Sequence, residues 1–159
     1  MSQDAHTAIQ SSLAYDTRPS WDEIWMSIAK TISGRSIDPK HKVCAIIVPE
    51  DNTGILAIGY NGNYRGGPHE RDSNEVGQSG LIHAEVNALI KCDYNYPKRK
   101  IMYTTLSPCR ACSKLIINAS IHTVVYDELY EADHSGLRLM EESGIHVYSM
   151  KDLLRAMRP

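Results

Sequence analysis

Four side chains in this sequence have the types and spacing to hold a metal ion and move protons: His83 and Glu85 in "LIHAEVNAL", and Cys109 and Cys112 in "SPCRAC". Thiolates and a histidine nitrogen are a donor set for zinc. Cys109 and Cys112 stand three apart, on the same side of a helix's first turn, behind Pro108, a residue suited to helix starts. His83 and Glu85 stand only two apart, and inside a helix such side chains point about 200° away from each other. They reach one point only if it lies beyond the helix terminus, where the first residues can both lean over the end. Three protein ligands leave a fourth tetrahedral position open, the mark of a catalytic rather than a structural zinc, and Glu85 remains free to move protons. A C-x-x-C pair alone fits thiol redox chemistry equally well, and it is His83-Ala84-Glu85, one strand upstream, that turns the reading to zinc.

These groups converge only if the surrounding elements place them. Ser20 and Glu23 have capping-box spacing and Trp21, Ile24, Trp25, Ile28 and Ile32 recur at helical intervals, so a helix is expected over 20–33. "VCAIIV" and "ILAIGY" are β-like runs separated by the turn "PEDNTG", a hairpin. The next twenty residues, "NGNYRGGPHERDSNEVGQSG", form a loop longer than a compact domain carries without a purpose such as binding. Beyond it "HAEVNALIKC", "CRACSKLIINA" and "SGLRLMEES" read as helices alternating with strands "KIMYTTL", "HTVVY" and "IHVYS", and a closing helix follows. That alternation implies an α/β fold with parallel strands and helices on both faces. In a βαβ arrangement the two ligand-bearing helix starts lie at the carboxyl ends of neighbouring strands, where one imidazole and two thiolates can meet a single ion.

Bulk properties narrow the function further. A chain of 159 residues with 42% hydrophobic content fits one packed domain, expected over 19–159 behind a flexible segment, 1–18. A net charge of −2 offers no general attraction for a phosphate backbone, and the only tight basic run, Lys98-Arg99-Lys100, reads as a surface turn, so nucleic acid is disfavoured as a partner. No apolar run approaches the roughly 18 residues of a membrane helix. The polar start "MSQDAHTAIQSS" lacks an apolar signal core, so a cytoplasmic location is expected. Cys44 and Cys92 read as small buried hydrophobes.

His83-Ala84-Glu85 with Pro108-Cys109-Arg110-Ala111-Cys112 is the two-part signature of zinc deaminases. With "GYNGNYRGG", "MYTTLSPCRACSKLIINASI" and "VVYDELY" in order and at compatible spacing, the chain resembles the cytidine and deoxycytidylate (dCMP) deaminase family over roughly residues 20 to 150. The resemblance implies a three-layer α/β/α fold with a five-stranded mixed sheet. It also implies hydrolytic deamination of dCMP to dUMP and ammonia, with Glu85 as the proton-transferring residue and one catalytic Zn2+ per chain. Asn61 would bind the sugar, the backbone around Ala84 and Ser107 the pyrimidine edge, and Tyr130 the sugar side. For the phosphate, the loop "RSIDPKHK" supplies donors, of which Lys42 and Arg35 are favoured.

Similar enzymes assemble as hexamers, activated by dCTP and inhibited by dTTP with Mg2+ at a second nucleotide site. Here Gly62, Asn63, Arg65, Gly66 and Gly67 would form that site, their backbone N–H groups cradling a triphosphate. Tyr64 stands where a proline is common, and Cys44 and Ser120 where glycines are. The segment that in some relatives adds a second zinc has no cysteine and only His69, so a single zinc is expected. Two other readings stay open: a zinc deaminase of another cytosine or adenine substrate (dCTP, cytidine or tRNA adenosine), and a structural zinc or thiol-redox module without deamination.

Overall fold

The computed structural model describes residues 18–157. The segment expected to be flexible, 1–18, therefore lies outside the described residues except for Arg18. Helix α1 (Trp21–Ser33) starts at the capping box read from the sequence: Glu23 N donates to Ser20 Oγ at 3.2 Å and Ser20 N to Glu23 Oε2 at 2.8 Å. Strands β1 (Cys44–Pro49) and β2 (Ala57–Tyr60) form the antiparallel hairpin. Then follow α2 (Ala84–Leu89), β3 (Lys100–Leu106), α3 (Arg110–Asn118), β4 (Ile121–Glu128), α4 (Ser135–Glu142), β5 (His146–Ser149) and α5 (Met150–Ala156).

The five strands form one mixed sheet in the order β2-β1-β3-β4-β5. Strand β1 is antiparallel to both its neighbours, while β3, β4 and β5 run parallel. Alternation along β1 divides the core. Ala45 and Ile47 face a cluster completed by Ala84 and Ala88 of α2, Ile116 of α3 and Met140 of α4. Cys44, Ile46 and Val48 face the other way, against Trp25, Met26 and Ala29 of α1 and Met150 at the start of α5. Helices thus cover both faces, the three-layer arrangement the resemblance implied. The Tyr103 hydroxyl of β3 donates to Asp22 Oδ1 at 2.6 Å and ties α1 to the sheet.

Some local expectations change. The helix expected over "HAEVNALIKC" ends at Leu89. Lys100 is not part of a surface turn: it opens β3, is 3% exposed, and donates from Nζ to the carbonyl of Tyr94 at 3.3 Å. Its aliphatic stem makes it compatible with burial once the ammonium has acceptors. Cys44 is a buried hydrophobe as expected, with burial pushing its thiol up to about 12. No helix among the described residues is long and apolar enough to cross a membrane.

At the end of α3, Ser120 stands at φ 55°, the left-handed region that favours glycine, and its N–H donates to Ile117 O at 3.1 Å. A side chain there costs more than the chain entropy a glycine would lose. Ser120→Gly is expected to stabilise the fold by about 0.5–1 kcal/mol, read as a higher urea midpoint; an unchanged or lower midpoint would contradict the assignment of strain.

Candidate active site

The two ligand-bearing segments are brought together by the way their helices begin. His83 is the residue before α2, with extended backbone at φ −66°, ψ 153°, and Cys109 holds the matching place before α3 at φ −69°, ψ 166°. Neither side chain caps its own helix, so both are free to lean over the end. Cys112, in the first turn of α3, completes the set. His83 Nδ1 lies 3.6 Å from Cys109 Sγ and 3.3 Å from Cys112 Sγ, and the three donor atoms all fall within 4.8 Å of one another. Zinc bonds of about 2.0–2.3 Å in a tetrahedron place ligand atoms roughly 3.5–3.8 Å apart, so the cluster fits the ion with little adjustment. It is the sole metal-competent cluster of its kind among the described residues.

One detail differs from expectation. The ligand-bearing helices do not follow neighbouring strands: β1 lies between β2 and β3. Because β1 is antiparallel to both, β2 and β3 run the same way, and their carboxyl ends still open on one edge of the sheet. Close packing bridges the gap. A Cβ on Gly59 of β2 would stand 2.3 Å from the Ala84 carbonyl and 2.3 Å from the Ala88 nitrogen, so α2 rests directly on the strand backbone. On the other side, a Cβ on Gly136 would stand 2.6 Å from the Pro108 carbonyl, which lets α4 press on the turn that presents Cys109. Asp133 accepts from Arg110 N at 3.2 Å and fastens the same turn.

Electrostatics suit a charged site. The Cys112 thiol and His83 hold the Cys109 sulfur as thiolate, pulling its pKa down to about 4. That same thiolate, together with burial, pushes Cys112 up. A divalent cation reverses the second effect, because a coordinating thiol is deprotonated outright. The hydrogen bond to Cys109 raises His83. Glu85 is 4% exposed, and burial pushes its carboxyl above the ordinary carboxylate range despite the opposing pull of its own backbone N–H and of His83. A carboxyl held above the ordinary carboxylate range takes up a proton more readily, which suits it to passing one on.

The cluster opens on a cavity of about 600 Å³, within the range of small-molecule sites. Asn61, Ala84, Glu85, Ser107 and Tyr130 all line it, so these five sequence candidates share one space with His83 and Cys109. Asn61 is buried and heavily engaged: Oδ1 accepts from Val43 N at 2.9 Å, and Nδ2 donates to His41 O at 2.7 Å and Asp38 Oδ2 at 3.4 Å. Ser107 Oγ accepts from Tyr130 N at 2.8 Å, and the Tyr130 ring meets His41 edge-on at 6.0 Å.

Lys42 and Arg35 are not brought to this cavity. Lys42 Nζ donates to Ser36 O at 3.0 Å beside a smaller neighbouring cleft, and Arg35 is exposed and lines neither. Gly62, Asn63, Arg65, Gly66 and Gly67 also lie outside the cavity wall. Gly62 pairs with Ile82 in an antiparallel bridge, Asn63 holds the turn by accepting from Tyr64 N at 2.8 Å, and Gly66 takes φ 82°. Sequence reasoning missed Asp38 and Arg71, and named His41 among the loop's donors without favouring it; all three line the cavity. Asp38 had a signal: its carboxylate accepts from the backbone of Lys40 at 2.8 Å and His41 at 3.3 Å, a turn that an Asp-Pro pair favours. Arg71 had none.

Residues 19–128 match the family described as the cytidine and deoxycytidylate deaminase zinc-binding region, and the chain belongs to that family. The deoxycytidylate deaminase of Saccharomyces cerevisiae is 32% identical over 141 residues, covering 82% of this chain and 45% of the yeast protein. ComE operon protein 2 of Bacillus subtilis is 35% identical over 136 residues, 82% of this chain and 71% of that protein. The solved dCMP deaminase of cyanophage S-TIM5 in complex with dCMP and dUMP has a TM-score of 0.68 and 31% identity, over 84% of this chain and 99% of that one. The chain spans less than half the length of the yeast relative.

The packing at Gly59 yields a test of how α2 is held. Gly59→Ala is expected to push α2 off β2, lower stability by about 3 kcal/mol and reduce the zinc bound per chain after dialysis; wild-type zinc content and stability would show that α2 is positioned by other contacts.

Proposed function

We propose that this chain catalyses the hydrolytic deamination of dCMP to dUMP and ammonia. The observation that carries the reading is the convergence of His83, Cys109 and Cys112 on one point, with the buried carboxyl of Glu85 beside them in the wall of a nucleotide-sized cavity. The reading is supported by the family match and by the likeness to a dCMP deaminase solved with dCMP and dUMP.

His83, Cys109 and Cys112 would hold one catalytic zinc, which in a site with an open position supplies a water acidic enough to act as a nucleophile near neutral pH. Glu85 takes a proton as the water oxygen bonds to C4 of the pyrimidine and delivers it to ring N3. A second transfer through the same carboxyl protonates the exocyclic nitrogen, the C4–N bond breaks, and ammonia leaves a C4 carbonyl. Asn61 and Tyr130 orient the sugar, and the backbone at Ala84 and Ser107 orients the pyrimidine edge.

Zinc per chain is measured together with ammonia release from dCMP, dCTP, cytidine and a tRNA anticodon stem. About one zinc per chain and preferred release from dCMP are expected. Glu85→Gln should keep the metal while kcat falls by about 10²–10⁴-fold. Metal without release from any substrate would favour a structural module, and release from the tRNA stem alone would favour an editing enzyme.

Regulation belongs to the same reading: activation by dCTP and inhibition by dTTP, with Mg2+, at the loop that holds Gly62, Asn63, exposed Arg65, Gly66 and Gly67, in a hexamer housed in the cytoplasm. That these five residues stand outside the cavity wall supports a second nucleotide site. At dCMP well below KM, dCTP should raise the rate and dTTP lower it, and Arg65→Ala should blunt both responses. Rates indifferent to both nucleotides would remove the regulatory site.

A further inference from the structure

We infer that Arg71 receives the substrate's 5′-phosphate and makes this site selective for a nucleotide over a nucleoside. The inference rests on the proposed dCMP reaction and names the group that would recognise the phosphoryl end. Arg71 lies in the long loop before α2 and lines the same cavity as His83 and Glu85. Its side chain is 9% exposed, and its Nε and Nη1 are buried without a hydrogen-bond partner among the described residues.

A buried guanidinium with idle donors is a costly arrangement. Charged N–H groups withdrawn from water lose their hydration, and native structures satisfy nearly all such donors. Asp38 offsets the charge, but its nearest approach, Oδ1 to Arg71 Nη1 at 3.8 Å, is beyond hydrogen-bond range. The Asp38 carboxylate is also occupied, since it accepts from the backbone of Lys40 and His41 and from Asn61 Nδ2. Asp38 therefore holds Arg71 in place without saturating it. A planar cation with unfilled donors, set in the wall of a cavity, matches a phosphate oxyanion, which arginine binds through short, charge-assisted hydrogen bonds.

The other cations nearby are spent or turned away. Lys42 Nζ donates to Ser36 O, Lys40 Nζ donates to Asn74 O, and Arg35 does not reach the cavity. The cavity wall carries groups suited to both ends of a nucleotide: a thiolate, the imidazole and Glu85 for the ring, and the guanidinium for the phosphate.

The test compares kcat/KM for dCMP and for 2′-deoxycytidine in the zinc-loaded wild type, Arg71→Gln and Arg71→Lys. The wild type should prefer dCMP. Arg71→Gln should lower the dCMP-to-deoxycytidine ratio by about 10²-fold, chiefly through KM for dCMP, and Arg71→Lys should fall between, because it keeps the charge and loses the planar donors. Inorganic phosphate should compete with dCMP in the wild type and more weakly in both variants. A merely structural role would depress both substrates together and leave the ratio unchanged, which would overturn the assignment while the dCMP reading stood. A wild type that favours deoxycytidine would sink both. Should Arg71→Gln fail to fold, Arg71→Lys with the phosphate competition decides the matter: wild-type ratio and wild-type inhibition in that variant reject the proposal.

Discussion

Everything in this molecule's chemistry depends on a geometric constraint at helix starts. Side chains two residues apart diverge once the helical cylinder is established, so His83 and Glu85 can serve one reaction centre only where the chain is entering the helix. The extended backbone at His83 and at Cys109 meets that constraint twice, at two helices that open on the same edge of the sheet. The backbone N–H of Cys112, in the first turn of α3, helps hold the Cys109 sulfur as thiolate. Orientation, charge and ligand identity are thus set by where two helices begin.

The sheet's contribution is to hold those beginnings at fixed separation. Strand β1 pairs in opposite sense with both neighbours, which aligns the exits of β2 and β3 on one side while keeping them a strand apart. Backbone-to-backbone contact at Gly59 and the tight seat at Gly136 then fix α2 and the turn before α3 from opposite sides. Such contacts have little room to relax, and positional tolerances at a metal centre are correspondingly narrow. Glu85 gains its proton affinity from the same burial that immobilises it.

What was legible in the sequence follows the range of the interactions that encode it. The ligand set and Glu85 were readable because their meaning lies in spacings of two and three residues, and α1 because its capping box is local. The strand and helix alternation was readable because the apolar periods of β1 and the helices differ. Side-chain destinations in loops were not. Lys42 turned back to the Ser36 carbonyl, Lys100 folded under Tyr94, and Arg71 came to the cavity from the middle of a polar stretch, all through contacts between residues that no local pattern links to one purpose. The placement of β1 between the two site-bearing strands was hidden for the same reason: pairing order is a long-range choice.

The bridge between Gly62 and Ile82 has a bearing on divergence among such proteins. By pinching the long loop at its base, it anchors the approach to His83 independently of the nineteen residues strung between, so insertions and deletions there need not disturb the metal ligands. Arg71 sits inside the loop that the pinch closes, and His83 follows just outside it. Lineages can therefore vary the loop while inheriting the entry to the ligand cluster, and the two stretches can drift at different tempos within one polypeptide.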